Sequence, residues 1–275
     1  MAHARVLASM AALLTLAPAM AGEPPAGNPD TLALAYSIAF WGIPFGHTNY
    51  DGRFDGHGYA AKSHFETSGV VSLFWQATID ASANGDVAPH VLTPRIYDSF
   101  YRRGATKNER VQVTFAGDEV KTFADPPYDT TKYPVTADQK RNAVDPMSAV
   151  TLVLSGVKAD SANPCGTVAP VFDGRRRYDI VFTYVKDEPV KLDQYKGTAH
   201  LCQLHYRQIA GFKQKILKEG AAIPPIFADL ADIASAAAPD GHFVVPVRVW
   251  SRLNWGTVSA ELTAMHAPPA PAQKG

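Results

Sequence analysis

His200-Leu201-Cys202-Gln203-Leu204-His205 sets two imidazoles around a thiol, the residue types that hold zinc or copper. On a strand, successive side chains point to opposite faces, so His200 and Cys202 share one face and His205 takes the other. That split is a poor frame for a tetrahedral site, and no metal is expected here. His47, His57 and His64 show no ligand spacing either. Gly56-His57-Gly58-Tyr59-Ala60-Ala61 fits Gly-x-Gly-x-x-Ala, but a dinucleotide fingerprint needs a strand before it and a helix after it. A strand pattern follows instead, so the segment reads as a glycine-rich turn, and no cofactor is expected. The chain has no Gly-x-Ser-x-Gly elbow. It also lacks His-Glu-x-x-His and a phosphate-cradling Gly-Lys-Ser/Thr loop. A catalytic set can assemble from distant strands, yet no residues point to its members, and catalytic residues are expected to be none. Asp173-Gly174-Arg175-Arg176-Arg177 places a basic patch, Arg175, Arg176 and Arg177, beside a hairpin turn. Such a patch suits a phosphate head group or an acidic partner, or is simply a solvated hairpin end.

The elements that would carry such residues are strands. Leu32, Leu34, Tyr36, Ile38 and Phe40 alternate with smaller residues, and Tyr59, Ala61, Ser63 and Phe65 alternate with Lys62, His64 and Glu66. Period two with one apolar face predicts antiparallel sheet. Strands are expected at 31–41, 58–67, 69–80, 86–92, 95–103, 109–116, 118–124, 168–173, from 178 onward, 197–209, 242–250 and 255–264. Residues 125–134 hold three prolines and predict a long surface loop. Asp145-Pro146 signals a helix start, with Asp as N-cap and Pro at the first position, giving a helix over 146–155. An Ala- and Leu-rich run predicts a second short helix at 225–236. The fold class expected is mainly β: an antiparallel curved sheet, half-barrel or spiral, of about 11–12 strands with two short helices against its concave side.

Residues 1–21 read as a secretory signal: Arg5, a short apolar run, and Ala19-Met20-Ala21 before Gly22. Residues 22–30 read as a flexible leader, 31–264 as a single β-rich domain, and 265–275 as a disordered Pro/Ala tail. No other stretch approaches the roughly 18 apolar residues of a membrane span. The expectation is an exported, periplasmic, soluble protein. Lys and Arg total 26 and so do Asp and Glu, a balance that argues against nucleic acid as a partner. Oligomeric state is left open. Cys165 and Cys202 make an even count in an exported chain, which suggests a disulfide. Such a bridge would close a loop of about 38 residues and contribute roughly 4 kcal/mol. Two free thiols are the alternative.

Several of these segments together resemble a known family. They are Tyr36-Ser37-Ile38, Gly42-Ile43-Pro44-Phe45-Gly46, Ser68-Gly69 and Asp145-Pro146-Met147-Ser148-Ala149. With them stand Cys165-Gly166, Val171-Phe172-Asp173-Gly174-Arg175-Arg176 and Cys202. The set is similar to the uncharacterised periplasmic proteins of domain-of-unknown-function family 3108, over roughly residues 31–264. The resemblance implies an exported β-rich fold with a curved or spiral sheet, similar in style to periplasmic lipoprotein carriers and envelope-integrity proteins. It implies no catalytic residues.

A curved sheet has a concave side that two short helices plug or that an apolar ligand fills. Tyr36, Ile38, Phe40, Phe65, Trp75, Phe115, Phe182 and Tyr184 are the candidates to face such a ligand. The function expected is non-enzymatic binding or carriage of an apolar envelope molecule, a lipid or acyl chain. The alternative is a structural protein that supports the envelope through protein contacts, and a hydrolase is the third reading.

Overall fold

The computed structural model describes residues 31–88, 90–104, 107–157, 164–219 and 223–269. The expected signal at 1–21, the leader at 22–30 and tail residues 270–275 lie outside them. In chain order the elements are β1 (Thr31–Phe40), β2 (Ile43–Phe54), β3 (Gly58–Thr67), the helical turn α1 (Gly69–Ser72), β4 (Ala77–Ala88) and β5 (Val91–Arg103). Then come β6 (Lys107–Ala116), β7 (Glu119–Asp125), α2 (Ala137–Lys140), α3 (Pro146–Leu154) and a 3-10 turn, Pro164–Gly166. The chain continues with β8 (Val168–Phe172), β9 (Arg177–Lys191), β10 (Lys196–Ala210), α4 (Gln214–Glu219), β11 (Ile226–Ala234), β12 (His242–Leu253) and β13 (Gly256–His266).

The described strands form one antiparallel sheet in the order β7-β6-β5-β4-β3-β2-β1-β13-β12-β11-β10-β9-β8. Nearly every strand pairs with its sequence neighbour, as short hairpin connections dictate. The one long-range closure joins β1 to β13, with Ala33 opposite His266 and Phe40 opposite Val258. The sheet curls without closing. A Cβ on Gly174, in the β8–β9 turn, would lie 2.8 Å from Val111 Cγ1 and 3.0 Å from Thr122 Cγ2, so that turn presses on β6 and β7 at the far edge. The φ of +89° at Gly174 is also one that side chains rarely adopt. The β8 edge is covered by the segment before α3: Val144 N–H donates to Pro170 O (2.8 Å) and Phe172 N–H to Val144 O (2.8 Å). The expected half-barrel or spiral is therefore what the chain forms.

The registers put the β1–β2, β3–β4, β5–β6 and β12–β13 connections at one end of the sheet, together with the β8–β9 turn and the end of β10. α3 runs through the hollow. Its Met147, Ser148, Ala149, Thr151, Leu152 and Leu154 are buried, in a core that includes Leu32, Leu34, Tyr50, Tyr59, Val113 and Phe243.

The structure corrects several sequence expectations. Residues 86–92 are not one strand: they hold the end of β4, a turn at His90 and the start of β5. Residues 225–236 are not a helix: β11 is a strand between β10 and β12. Ala and Leu favour helix only weakly, and paired strands on both sides override them. A register shift between Asp229 and Leu230 also breaks the alternation that would betray a strand. Residues 69–76 are not a strand but α1 and a loop before β4. Thr67 ties that loop off, its hydroxyl donating to Trp75 O (3.0 Å) and accepting from Ala77 N–H (3.0 Å). β2 had no expected counterpart. Gly46 and Gly52 stand at inward positions of β2, where rings from Phe65 and Tyr50 already fill the space, so its apolar face is broken in the sequence. Finally, the tail is ordered further than expected. β13 runs to His266, and Ser235 Oγ donates to Pro268 O (2.6 Å).

Candidate functional site

α3 begins as its sequence signal dictates. Asp145 is the N-cap, its Oδ1 accepting from Ser148 N–H (2.8 Å), with Pro146 at the first position. One side of the helix is fastened to β2 and β3. Tyr59 OH meets Ser148 Oγ at 2.5 Å, Ser148 Oγ in turn bonds Asp145 Oδ2, and Tyr50 OH meets Thr151 Oγ1 at 3.0 Å. Buried polar chains of this kind hold an element in one position when every member is satisfied. Burial pushes the Asp145 carboxyl up to about 6, although both Ser148 hydrogen bonds favour its charged form.

A raised carboxyl contributes stability that is full below its unfolded value, near 3.8, and is lost as the pH climbs through about 6. The difference corresponds to up to about 3 kcal/mol. Asp145→Asn keeps an N-cap acceptor and removes the charge. Urea unfolding of the variant at a series of pH values is expected to lose the decline seen in the parent between pH 4 and 6. An unchanged decline would contradict the assignment.

The other side of α3 leaves a gap. Val150 and Val153 face an apolar groove of about 350 Å³ bounded by β8 to β12. Val171 comes from β8, and Tyr178, Ile180 and Phe182 from β9. β10 gives Leu204 and Tyr206, β11 Ala228 and Leu230, and β12 Pro246 and Val249. No charged residue lines it. The volume lies in the range of small-molecule sites, which are concave and mainly apolar. Val150 is 48 % exposed, so the groove opens to solvent along the helix.

The Cys165–Cys202 disulfide, with Cα atoms 5.6 Å apart, fastens the 3-10 turn to β10. It lies in one buried cluster with Phe182, Ala228, Leu230 and Val244, and so packs with three of the residues that line the groove. At the Tyr206 end, the tilted rings of Tyr178 and Tyr206 meet at 4.5 Å, and Phe212 stands edge-on to Tyr206 at 6.3 Å. Arg176 lies over Phe212 at 5.6 Å. Burial pushes the Tyr206 hydroxyl up to about 12, Asp173 adds to the rise and Arg176 opposes it.

The structure disperses the eight expected ligand-facing residues. Phe182 lines the groove. Tyr36 and Phe115 pack on the main core beyond α3. Ile38 and Phe40 lie toward the end of β1, where Phe40 stacks on Trp41 and contacts the tilted ring of Trp255. Phe65 packs over Gly46. Trp75 and Tyr184 are off the covered interior. Trp75 follows α1 in a loop, 39 % exposed, and Tyr184 is 45 % exposed beyond the end of β8. The strand face of Tyr178, Ile180 and Phe182 was visible in the sequence. Ala228 and Leu230 were hidden by the helix-like run, and Val150 and Val153 belong to an amphipathic helix whose second face only tertiary structure reveals.

Nor do the three arginines act alike. Arg175 lies over Tyr128 at 5.3 Å and Arg176 over Phe212. Arg177 is turned inward, 12 % exposed, and pairs with Asp179 at 2.5 Å. His200 pairs with Asp187 (2.6 Å) and Asp232 (3.3 Å), while Cys202 is committed to the disulfide. A wider polar cleft of about 680 Å³ crosses the outer face of β2 to β6. Its polar groups partner one another, His64 with Asp80 at 2.7 Å and Arg110 with Asp98 at 2.5 Å.

The fold is shared with a solved structure described as a β-barrel-like protein of domain of unknown function DUF1849 from Brucella abortus. The TM-score is 0.53 at 11 % identity, over 87 % of this chain and 98 % of that one. No curated protein matches the chain. A family model, protein of unknown function DUF3108, matches residues 35–263. Those residues take in every strand from β2 to β12, α3, both cysteines and the whole groove lining, and the chain belongs to the DUF3108 family.

Proposed function

We propose that this protein binds or carries an apolar envelope molecule, a lipid or acyl chain, in the groove between α3 and β8–β12. One observation carries the reading: a charge-free, solvent-reachable channel of about 350 Å³ beside a helix that is fastened firmly on its opposite side. Burying an apolar chain there removes its surface and that of Val150, Val153, Ile180 and Leu204 from water, which is the driving force such sites use. Arg176 sets a cation near the Tyr206 end, where the polar head of a chain would emerge. The signal-like segment at 1–21 supports export to the periplasm, and the disulfide is in keeping with an oxidising compartment.

The test is titration with a fluorescent fatty acid. Ala228 is buried on the β11 wall, so Ala228→Phe fills the groove with a ring. The variant is expected to bind at least about tenfold more weakly, a difference of about 1.4 kcal/mol. Its far-ultraviolet circular dichroism should match the parent's. Equal binding by both proteins, or none by the parent, would contradict the reading.

A further inference from the structure

Apolar side chains normally turn inward, yet this chain sends a group of them outward at one end of the sheet. Phe74 is 87 % exposed, Leu73 77 %, Val70 70 %, Trp41 69 % and Trp255 66 %, with Ile43 close behind. They come from three neighbouring connections, β1–β2, β3–β4 and β12–β13, which the strand order places side by side. Contacts join the three. Phe40 stacks on Trp41 at 5.3 Å and meets Trp255 in a tilted contact at 5.0 Å, and Ser68 N–H donates to Phe45 O at 2.7 Å. The result is an apolar rim that shares no residue with the groove lining.

The charge around the rim is one-sided. Segments 40–45, 68–76 and 251–257 hold one charged residue, Arg252, and no acid. The adjoining β5–β6 connection adds Arg102, Arg103 and Lys107. Arg102 and Lys107 have acidic partners set back on the strands, Asp80 at 3.1 Å and Glu109 at 2.9 Å. An apolar tip rich in tryptophan and edged by cations is complementary to one surface in particular. Indole rings favour the boundary between lipid head groups and acyl chains, and cations there meet anionic head groups. A protein interface would also accept the apolar residues, but it gives no reason for rim segments that carry a cation and no acid.

We propose that the protein docks on an anionic lipid surface through this rim, inserting Trp41, Leu73, Phe74 and Trp255 at the head-group level with Arg103 and Arg252 against the phosphates. The full chain mixed with phosphatidylglycerol/phosphatidylcholine vesicles tests it. Residues 1–30 hold no tryptophan, so indole emission reports the folded body. Emission is expected to shift to the blue and to be quenched when the acyl chains carry bromine. The variant Trp41→Ser, Leu73→Ser, Phe74→Ser, Trp255→Ser should float with vesicles at least about tenfold less well. Arg103→Glu with Arg252→Glu should weaken binding to anionic vesicles by about tenfold and leave binding to pure phosphatidylcholine unchanged. If the serine variant does not fold, bromine quenching of the parent still decides the matter. Emission blind to vesicles of both kinds would overturn the proposal. So would a parent dimer, dispersed by the serine substitutions, that never floats.

Discussion

Replacing Cys165 and Cys202 together by alanine is expected to lower the stability of the protein by about 4 kcal/mol. The bridge spans 37 positions of sequence, and its loss frees the unfolded chain by the entropy of that loop. Its surroundings add to the cost. Cys202 is fully buried, and Phe182, Ala228 and Leu230, which line the groove, cluster with the pair, so their packing loosens along with the cross-link. Urea unfolding under non-reducing conditions measures the difference, and the parent in reducing agent should fall to the variant's value. A loss below about 1 kcal/mol would mean that the 3-10 turn is held on β10 by packing alone.

The second large effect belongs to Asp179, 6 % exposed at the start of β9. Two guanidiniums share its carboxylate. Arg177 Nη1 bonds Oδ1 at 2.5 Å, and Arg207 Nε bonds Oδ2 at 3.0 Å. Arg177 also donates to Gln139 O at 3.0 Å, tying α2 to the sheet. Asp179→Ala strands the inward-facing Arg177 without its counter-charge, and breaking a buried pair in this way costs about 3–5 kcal/mol. Burial alone would push the Asp179 carboxyl up, but hydrogen bonds and charge from Arg207 and Arg177 prevail and hold it below the ordinary value. A lowered carboxyl contributes stability that is present above its unfolded value and lost as the pH falls through the folded one. Asp179 therefore stabilises the fold at neutral pH and loses that contribution in acid, the opposite sense to Asp145. Asp179→Ala should flatten the acid limb of the stability profile, whereas Asp145→Asn flattens the stretch between pH 4 and 6. A variant within about 1 kcal/mol of the parent would show that the pair only offsets its own desolvation.

How far the sequence reveals this protein depends on whether local pattern and tertiary environment agree. They agree along β1, β3, β6, β9, β10, β12 and β13, where alternation matches a sheet with one covered face. They agree at Asp145-Pro146, whose cap chemistry starts α3. They part at β11, which lies between two strands with four consecutive buried residues and a bulge, so no alternation survives. They part at β2 because glycine takes the place of apolar residues under the Tyr50 and Phe65 rings. At 69–76 the composition of a core strand is spent on an exposed rim, a place where hydrophobicity does not mean burial. The groove divides in the same way. Phe182 and its strand face were legible, but the opposing wall from α3 and β11 arises only when the sheet curls around the helix.

The most direct measurement of the central claim is photocrosslinking with a fatty acid that carries a diazirine at mid-chain, followed by peptide mapping. Binding in the groove predicts label on residues 146–154, 178–182, 204–206 and 226–230, and loss of that label in Ala228→Phe. Label confined to the exposed rim around Trp41, Phe74 and Trp255, or spread without regard to the Ala228 substitution, would contradict an apolar chain held between α3 and the sheet.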